Sequence, residues 1–492
     1  MGNGILFLQP RQKLLAWFAR CARAHGTETL RIGVPSLPPG VILACPANLD
    51  FVFRHDGGVF AKGGFFRERS LDLFGGGIIN ADGEAWRLQR RAGQRFLGAN
   101  LAGLTGEAGL GRCLAGMMGE LESAAVTPTA AGGGKDEMVG EKVVDLQALL
   151  HEMTTQLMGS MAYGMEMHAD DDFTAAFEHA SGATAERFQN PLWRAAELLF
   201  TGRKLGRSIA VVKAFGRAIV ARAVREEEGK GDKEDKEEDA GRRPRTLIGE
   251  LLACVEDEDL VADAALNYLS AGRDTVAQAL TWTFYLLMRH PAAAEKLRSA
   301  VEQLRATTTT TTTPANDEPA DLLLTPARLP YAQAVFYESL RLRPPIPFEV
   351  KQARADVTLP DGTFLPASSL VVWSPWAMGR SAAIWGPDAL DFRPERWLEE
   401  SQDCPEGEGD GGVQSRRFVP RSAGEFPVFN GGPRLCLGKR LAEVVGVRVL
   451  AEVLPRFGFR PAFEGERVSR SSLTLPMEGG LPVYVDKRDT PP

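Results

Sequence analysis

The chain has 492 residues, of which 44% are hydrophobic and 25% charged, and its formal net charge is −7. That balance suits a soluble globular protein with a large core, and it leaves no basic stripe to neutralise nucleic-acid phosphates. The six cysteines (Cys21, Cys45, Cys113, Cys254, Cys404 and Cys436) are far apart and form no CxxC pair, which argues against a disulfide framework or a Cys-rich zinc site and for a reducing compartment.

The N-terminus, MGNGILFLQP, has too short an apolar run for a signal peptide. Leu6 stands where N-myristoylation needs Ser or Thr. No later stretch reaches the roughly 18 apolar residues of a spanning helix. Residues 10–25 set Leu14, Leu15, Trp17 and Phe18 among Arg and Lys, the pattern of an amphipathic helix. Strands are expected at Glu28–Val34 and Val41–Cys45, and a short helix from Pro46 to Arg54. Asp82 is placed to cap a helix that carries Trp86 and Arg90, which share a face at i,i+4. Helical patterns follow over Val143–Gly164 and Phe173–Arg225, the second broken at Asn190-Pro191. Stretches near 126–141, 226–245, 306–320 and 402–425 are Gly-rich, charge-rich or Thr-rich and read as surface insertions. They leave residues 27–492 as one domain behind an N-terminal helix at 1–26.

The longest regular pattern is Leu260–His290, stopped by Pro291. At about 1.5 Å per residue it makes a rod of roughly 45 Å. Its middle reads Ala271-Gly272-Arg273-Asp274-Thr275. A mid-helix glycine costs about 1 kcal/mol relative to alanine, so something is expected to approach the backbone there. Glu338 and Arg341 then meet at i,i+3 on a helix with apolar neighbours. Beyond residue 350 the chain turns to strands and turns: Val357–Leu359, Phe364–Leu365, Leu370–Trp373 and a hairpin within Thr474–Val485. Many helices with a few segregated strands predict a mainly α, α+β fold.

Near the C-terminus, FPVFNGGPRLCLGKRLA places Cys436 in a Gly/Pro loop before a helix at Lys439–Leu450. A thiol at a helix N-terminus is expected to have a lowered pKa. As a thiolate it could serve as nucleophile, redox sensor or metal ligand. No base is placed by motif to support the first role, and no resolving cysteine lies near for the second.

The spacing Phe429-x-x-Gly432-x-Arg434-x-Cys436-x-Gly438 resembles the ligand loop of the cytochrome P450 superfamily. The resemblance implies the long-central-helix fold of that family, with haem b held by Cys436 as its metal ligand. It places Phe429, Gly432, Arg434 and Gly438 at the cofactor, with Trp86 and Arg90 on a propionate from the other side. AGRDT is similar to the family's oxygen-activation motif, which makes Asp274 and Thr275 an acid–alcohol pair that relays protons through water. Val276 departs from the second Thr or Ser of many relatives. Glu338, Arg341 and Arg396 (in Pro394-Glu395-Arg396-Trp397) resemble the buried charge cluster that fixes the loop. The wording of DFRPERWL, PDGTFLPASSL and the cysteine loop is similar to the fatty-acid hydroxylase clans. By carry-over, Ala271, Phe348, Val350, Leu475 and Met477 form the substrate pocket.

The resemblance implies a monomeric monooxygenase that takes electrons from an NADPH-cytochrome P450 reductase and hydroxylates a long-chain fatty acid at or near its terminus. Terpenoid or sterol substrates suit the same pocket. A reductase-independent hydroperoxide rearrangement, or a haem-thiolate sensor without turnover, would leave the acid–alcohol pair without a task. Relatives implied by the resemblance sit on the cytosolic face of the endoplasmic reticulum membrane. With no anchor in this sequence, the expectation is a truncated N-terminus, or else a soluble or peripherally bound protein.

Overall fold

The computed structural model describes residues 11–33, 37–125, 142–231, 246–310, 324–400 and 416–488. The insertion at 126–141 lies outside these residues, as do most of the other three. Where those three are described, two extend helices and the third contributes a short strand and turns. One helix runs on to Gly231, another to Thr310, and Arg416–Phe418 is a strand. Once a helix is nucleated by its packed part, each further residue adds a hydrogen bond, so polar sequence can prolong it.

Helix α1 (Arg11–His25) buries Leu14, Leu15, Phe18 and Ala22. Leu14, Phe18 and Ala22 pack on Ile42 and Ala377. Much of the apolar stripe of this helix is thus packed on the protein's own core. Strands β1 (Leu30–Ile32), β2 (Gly40–Leu43) and β3 (Phe60–Ala61) frame helix α2 (Pro46–Arg54). Helices α3 (Gly63–Phe74), α4 (Gly83–Thr105) and α5 (Arg112–Ala124) follow. Asp82 occupies the cap position of α4, yet its carboxylate makes no bond to that helix. It accepts from the amides of Lys62 and Gly63 and from Arg434.

The pattern from Val143 predicts helix throughout. Instead Val144–Asp145 is a short strand, β4, and Asp145 caps helix α6 (Leu146–Met158) by accepting from the amides of Gln147 and Ala148 at 3.0 and 3.4 Å. Helix α7 (Asp172–Gln189) ends at the expected break, and α8 (Gly202–Gly231) comes after it.

The long helix, α9, spans Glu258–Arg289, 32 residues. Asp257 caps it by accepting from the amides of Asp259 and Leu260, and Glu258, Asp259 and Arg289 complement its dipole. Pro291 begins α10 (Pro291–Thr310), and α11 (Pro330–Leu342) follows. Strand β5 (Glu349–Ala353) precedes a small hairpin, β6 (Val357–Thr358) with β7 (Phe364–Leu365), then β8 (Leu370–Trp373). The main sheet runs β1-β2-β8-β5-β3, antiparallel except for β2 with β8. Strands β9 (Leu398–Glu400) and β10 (Arg416–Phe418) pair before α12 (Lys439–Val453). The tail does not fold on itself alone: β12 (Pro482–Lys487) pairs with β11 (Phe457–Pro461) and with β4.

This is the mainly helical fold with small sheets that the sequence resemblance implies. One large apolar cluster surrounds α9, drawing on α5, α6, α7, α11 and α12. Leu269, Ala277, Leu280 and Trp282 of α9 are at most 1% exposed. Among the described residues no helix is long and apolar enough to cross a membrane.

Candidate active site

The middle of α9 is unlike its flanks. Arg273 is fully buried, whereas Ala271 is exposed and Thr275 half-exposed. An accessible face thus interrupts a helix most of whose residues are buried. Thr275 donates its hydroxyl proton to the carbonyl of Ala271 at 2.6 Å, which leaves its oxygen as an acceptor. The expected close approach at Gly272 is made by a side chain: a Cβ there would lie 2.5 Å from Met158 Sδ.

Asp274 is turned away from Thr275's hydroxyl partner and toward α6. Its Oδ1 accepts from Arg273 Nε at 2.8 Å and from His151 Nε2 at 3.0 Å. Arg273 lies over the rings of Phe173 and Phe177 and donates to Thr174 Oγ1 at 2.9 Å. Although burial opposes ionisation, the Arg273 and His151 partners hold the Asp274 carboxyl down to about 2. Sequence reasoning missed His151. It is 123 residues from Asp274, and a histidine on an amphipathic helix carries no signal that it reaches a motif on another.

The cysteine loop is held by its own backbone. Cys436 N–H donates to Phe429 O at 2.7 Å and Leu435 N–H to Gly432 O at 3.1 Å. Gly432 has φ +60°, and a Cβ there would lie 2.1 Å from Phe53 O. A Cβ on Gly431 would lie 2.6 Å from the Phe53 ring. These glycines let the loop cross α2 and do not serve the sulfur. Gly438 is different: its amide bonds the thiol, and a Cβ on it would meet no atom within 4 Å.

The helix N-terminus was expected to lower the Cys436 pKa. Burial outweighs it and pushes the thiol up, against the pull of the Gly438 amide, Arg90 and Lys439. Cys436 is nonetheless among the exposed residues. The thiol is thus accessible while its surroundings oppose its ionisation.

Around that thiol the cations differ. Arg434 is committed: it donates to Asp82 Oδ1 at 2.6 Å and to Ala81 O at 2.8 Å, and lies over the Trp86 ring. Arg90 also lies against Trp86. Among the described residues no carboxylate pairs with it, and burial holds its pKa down while Tyr268 and Cys436 act to raise it. Helix α4, which carries Arg90, is gripped between α9 and the loop: a Cβ on Gly93 would lie 2.4 Å from the Tyr268 hydroxyl and 2.5 Å from Leu437 Cδ2. Residues from three separate regions thus meet at one accessible sulfur.

These features fit a haem. Among the described residues no group of three or more His, Cys, Asp or Glu could hold an ion, so a metal bound here needs its remaining ligands supplied with it. Cys436 offers one soft donor, Gly438 an unobstructed approach, and Arg90 a desolvated cation for an acidic substituent.

The loop rests on a buried charge cluster. Glu338 and Arg341 are 0% exposed. Glu338 accepts from Arg341 Nε and Nη2, Arg396 Nε, Arg393 N–H and Trp397 Nε1 at 2.7–2.9 Å. Arg341 also donates to the carbonyls of Gly379, Ala389 and Asp391. Rings carry this cluster to the loop: Trp397 packs on Phe426, and Tyr337 on Phe426 and Phe429.

Of the residues expected to form the substrate pocket, Phe348 and Val350 line an apolar pocket with Phe65, Phe66, Phe188 and Leu473. It encloses about 960 Å³ of empty space, part of it open to solvent. Ala271 lies on the open face of α9 and is not among its lining residues. Leu475 and Met477 are 0% and 1% exposed. They line this pocket nowhere and tie the tail to its neighbours: Leu475 O accepts from Trp282 Nε1 and Met477 N–H donates to Gln147 Oε1.

The family model described as "Cytochrome P450" matches residues 3–479. The chain is 30% identical to "Cytochrome P450 94C1" of Arabidopsis thaliana over 96% of its own length and 89% of the relative's. It is 32% identical to "Cytochrome P450 86B1" of the same plant, over 90% and 76%. It is 26% identical to "Cytochrome P450 94A1" of Vicia sativa, over 100% and 90%.

Proposed function

Because the chain belongs to the cytochrome P450 family of haem monooxygenases, we propose that it hydroxylates long-chain fatty acids at or near their terminus with electrons from an NADPH-cytochrome P450 reductase. The observation that carries the site assignment is the accessible thiol of Cys436, with burial opposing its ionisation, beside Arg90, which no carboxylate among the described residues pairs. The apolar pocket at Phe348 and Val350 supports a hydrocarbon substrate. The fatty-acid reading draws on the similarity of several stretches to fatty-acid hydroxylases and on the likeness to proteins of the 94 and 86 groups.

Cys436 would hold the haem iron through its sulfur, and Arg90, which lies against Trp86, would take a propionate. Bound in this way, haem would supply the centre at which dioxygen is reduced and one oxygen atom enters a C–H bond. The chain's own residues do the rest. Phe65, Phe66 and Phe188 exclude water from the entering chain. Thr275 Oγ1, whose O–H donates to the Ala271 carbonyl, accepts a hydrogen bond and holds a water in place. Asp274 carries the proton that the water passes on. Glu338, Arg341 and Arg396 keep the loop rigid.

Thr275→Ala is expected to consume NADPH while product per NADPH falls roughly 10-fold or more, the balance appearing as hydrogen peroxide. Unchanged coupling would remove Thr275 from the relay.

The substrate is tested by turnover with a reductase on fatty acids of graded chain length, alongside a terpenoid and a sterol. Terminal or near-terminal alcohols are the expected products. Turnover confined to the terpenoid or the sterol would overturn the fatty-acid reading and leave the monooxygenase in place.

A further inference from the structure

We propose that His151 is the positioning residue that supplies Asp274 with protons, so that the relay begins on α6 and not on α9. This rests on the reading of Asp274 and Thr275 as an acid–alcohol pair.

Among the described residues Asp274 has two side-chain partners, and both bond to Oδ1. Arg273 cannot donate a proton to it, because a guanidinium stays protonated at any physiological pH. It is also sealed, at 0% side-chain exposure, against Phe173 and Phe177. His151 is the other partner. Its imidazole has two ring nitrogens, so it can take up a proton at one and give one up at the other, and at 16% it is more exposed than Asp274 at 10%. The proton can therefore enter at the ring and leave by the carboxylate, with Oδ2 free to pass it on.

The contact is built into the packing of two helices. Met158 stands seven residues after His151, two turns on and so on the same face of α6. It presses on Gly272, two residues before Asp274. The glycine lets α6 come close enough for the imidazole to reach the acid. The hydroxyls of Thr154 and Thr155 donate to the His151 carbonyl at 3.1 and 2.7 Å, which fixes the backbone under the ring. One element thus explains two features of the motif: why residue 272 has no side chain, and why Asp274 turns outward from Thr275.

The step conserves charge. Imidazolium and carboxylate become neutral imidazole and carboxylic acid, and water returns a proton to the ring. No electron moves.

The test uses the haem-loaded protein with its electron donor and three variants, His151→Gln, His151→Phe and Asp274→Asn. Both His151 variants should lower product per NADPH about threefold or more, with peroxide making up the difference, and raise the solvent deuterium isotope effect on product formation roughly twofold. KM for substrate should not move. Glutamine keeps a hydrogen-bond donor beside Asp274, so full coupling in His151→Gln would reduce His151 to a structural contact and overturn the proposal. If Asp274→Asn is itself fully coupled, the relay reading fails and this inference with it. If Asp274→Asn uncouples and His151→Gln does not, the inference alone fails.

A second readout needs no turnover. In protein labelled with ¹⁵N-histidine, the imidazole N–H signal lost in His151→Gln should shift in Asp274→Asn. A signal unmoved by that change would deny the contact.

Discussion

Cys436→Ser is expected to leave a folded chain whose reduced, carbon-monoxide-treated form lacks the spectrum of a thiolate-ligated haem, and whose hydroxylation falls by about 10³-fold or more. The fold should survive because Cys436 contributes little to it. Its backbone N–H bonds Phe429 O, a bond serine keeps. Its side chain faces open space, not the core, and a near-isosteric change away from packed atoms costs at most about 0.5 kcal/mol. The chemistry should not survive. A serine hydroxyl stays protonated near neutrality and is a hard, weak donor, so it cannot push electron density to iron as a thiolate does. Absorbance of the reduced carbon monoxide adduct and the denaturation midpoint of the same sample separate the two effects. A variant that keeps the thiolate spectrum would remove Cys436 from its assigned place.

Most of the scaffold could be read from the chain because its signals are local. Proline marks the start of α2 and the end of α9, and three-residue spacing pairs Glu338 with Arg341. The errors fall where a distant partner decides. Val144 and Asp145 look helical by pattern but are taken by β12. Asp82 looks like a helix cap, but the amides of Lys62 and Gly63 claim its carboxylate, together with Arg434.

At the site, the spacing around Cys436 gave the loop, but not the reason for its glycines. Gly431 and Gly432 answer to Phe53, almost 380 positions earlier in the chain. The helix dipole that lowers a thiol's pKa is legible in sequence, whereas the burial that raises it here is not. His151 had no sequence signal at all, since its meaning depends on the distance between α6 and α9.

Glu338→Gln is the substitution expected to cost the fold most, about 3–5 kcal/mol. The reason lies in the count of donors. Two carboxylate oxygens receive five N–H groups: Oε1 from Arg341, Arg396 and the Arg393 amide, Oε2 from Arg341 and Trp397. Glutamine keeps one of the two oxygens and turns an NH₂ donor toward the N–H groups that had the other. It also leaves Arg341 and Arg396, 0% and 3% exposed, without their anion. Burial bars water from replacing it. Arg341 would retain its bonds to Gly379, Ala389 and Asp391, so its charge stays solvated in part by carbonyl dipoles and the loss should stop short of an isolated buried ion.

Because Trp397 carries the cluster to Phe426 and Tyr337 to Phe429, the damage should reach the cysteine loop. Haem should dissociate faster from whatever variant folds. The check is paired: the urea midpoint of the metal-free protein, and the rate of haem transfer to an acceptor protein. Arg341→Lys offers a second route, since lysine supplies three donors where Arg341 uses all five, and it should show the same two losses. A Glu338→Gln protein with an unshifted midpoint and unchanged haem retention would mean that the cluster is not what holds the loop.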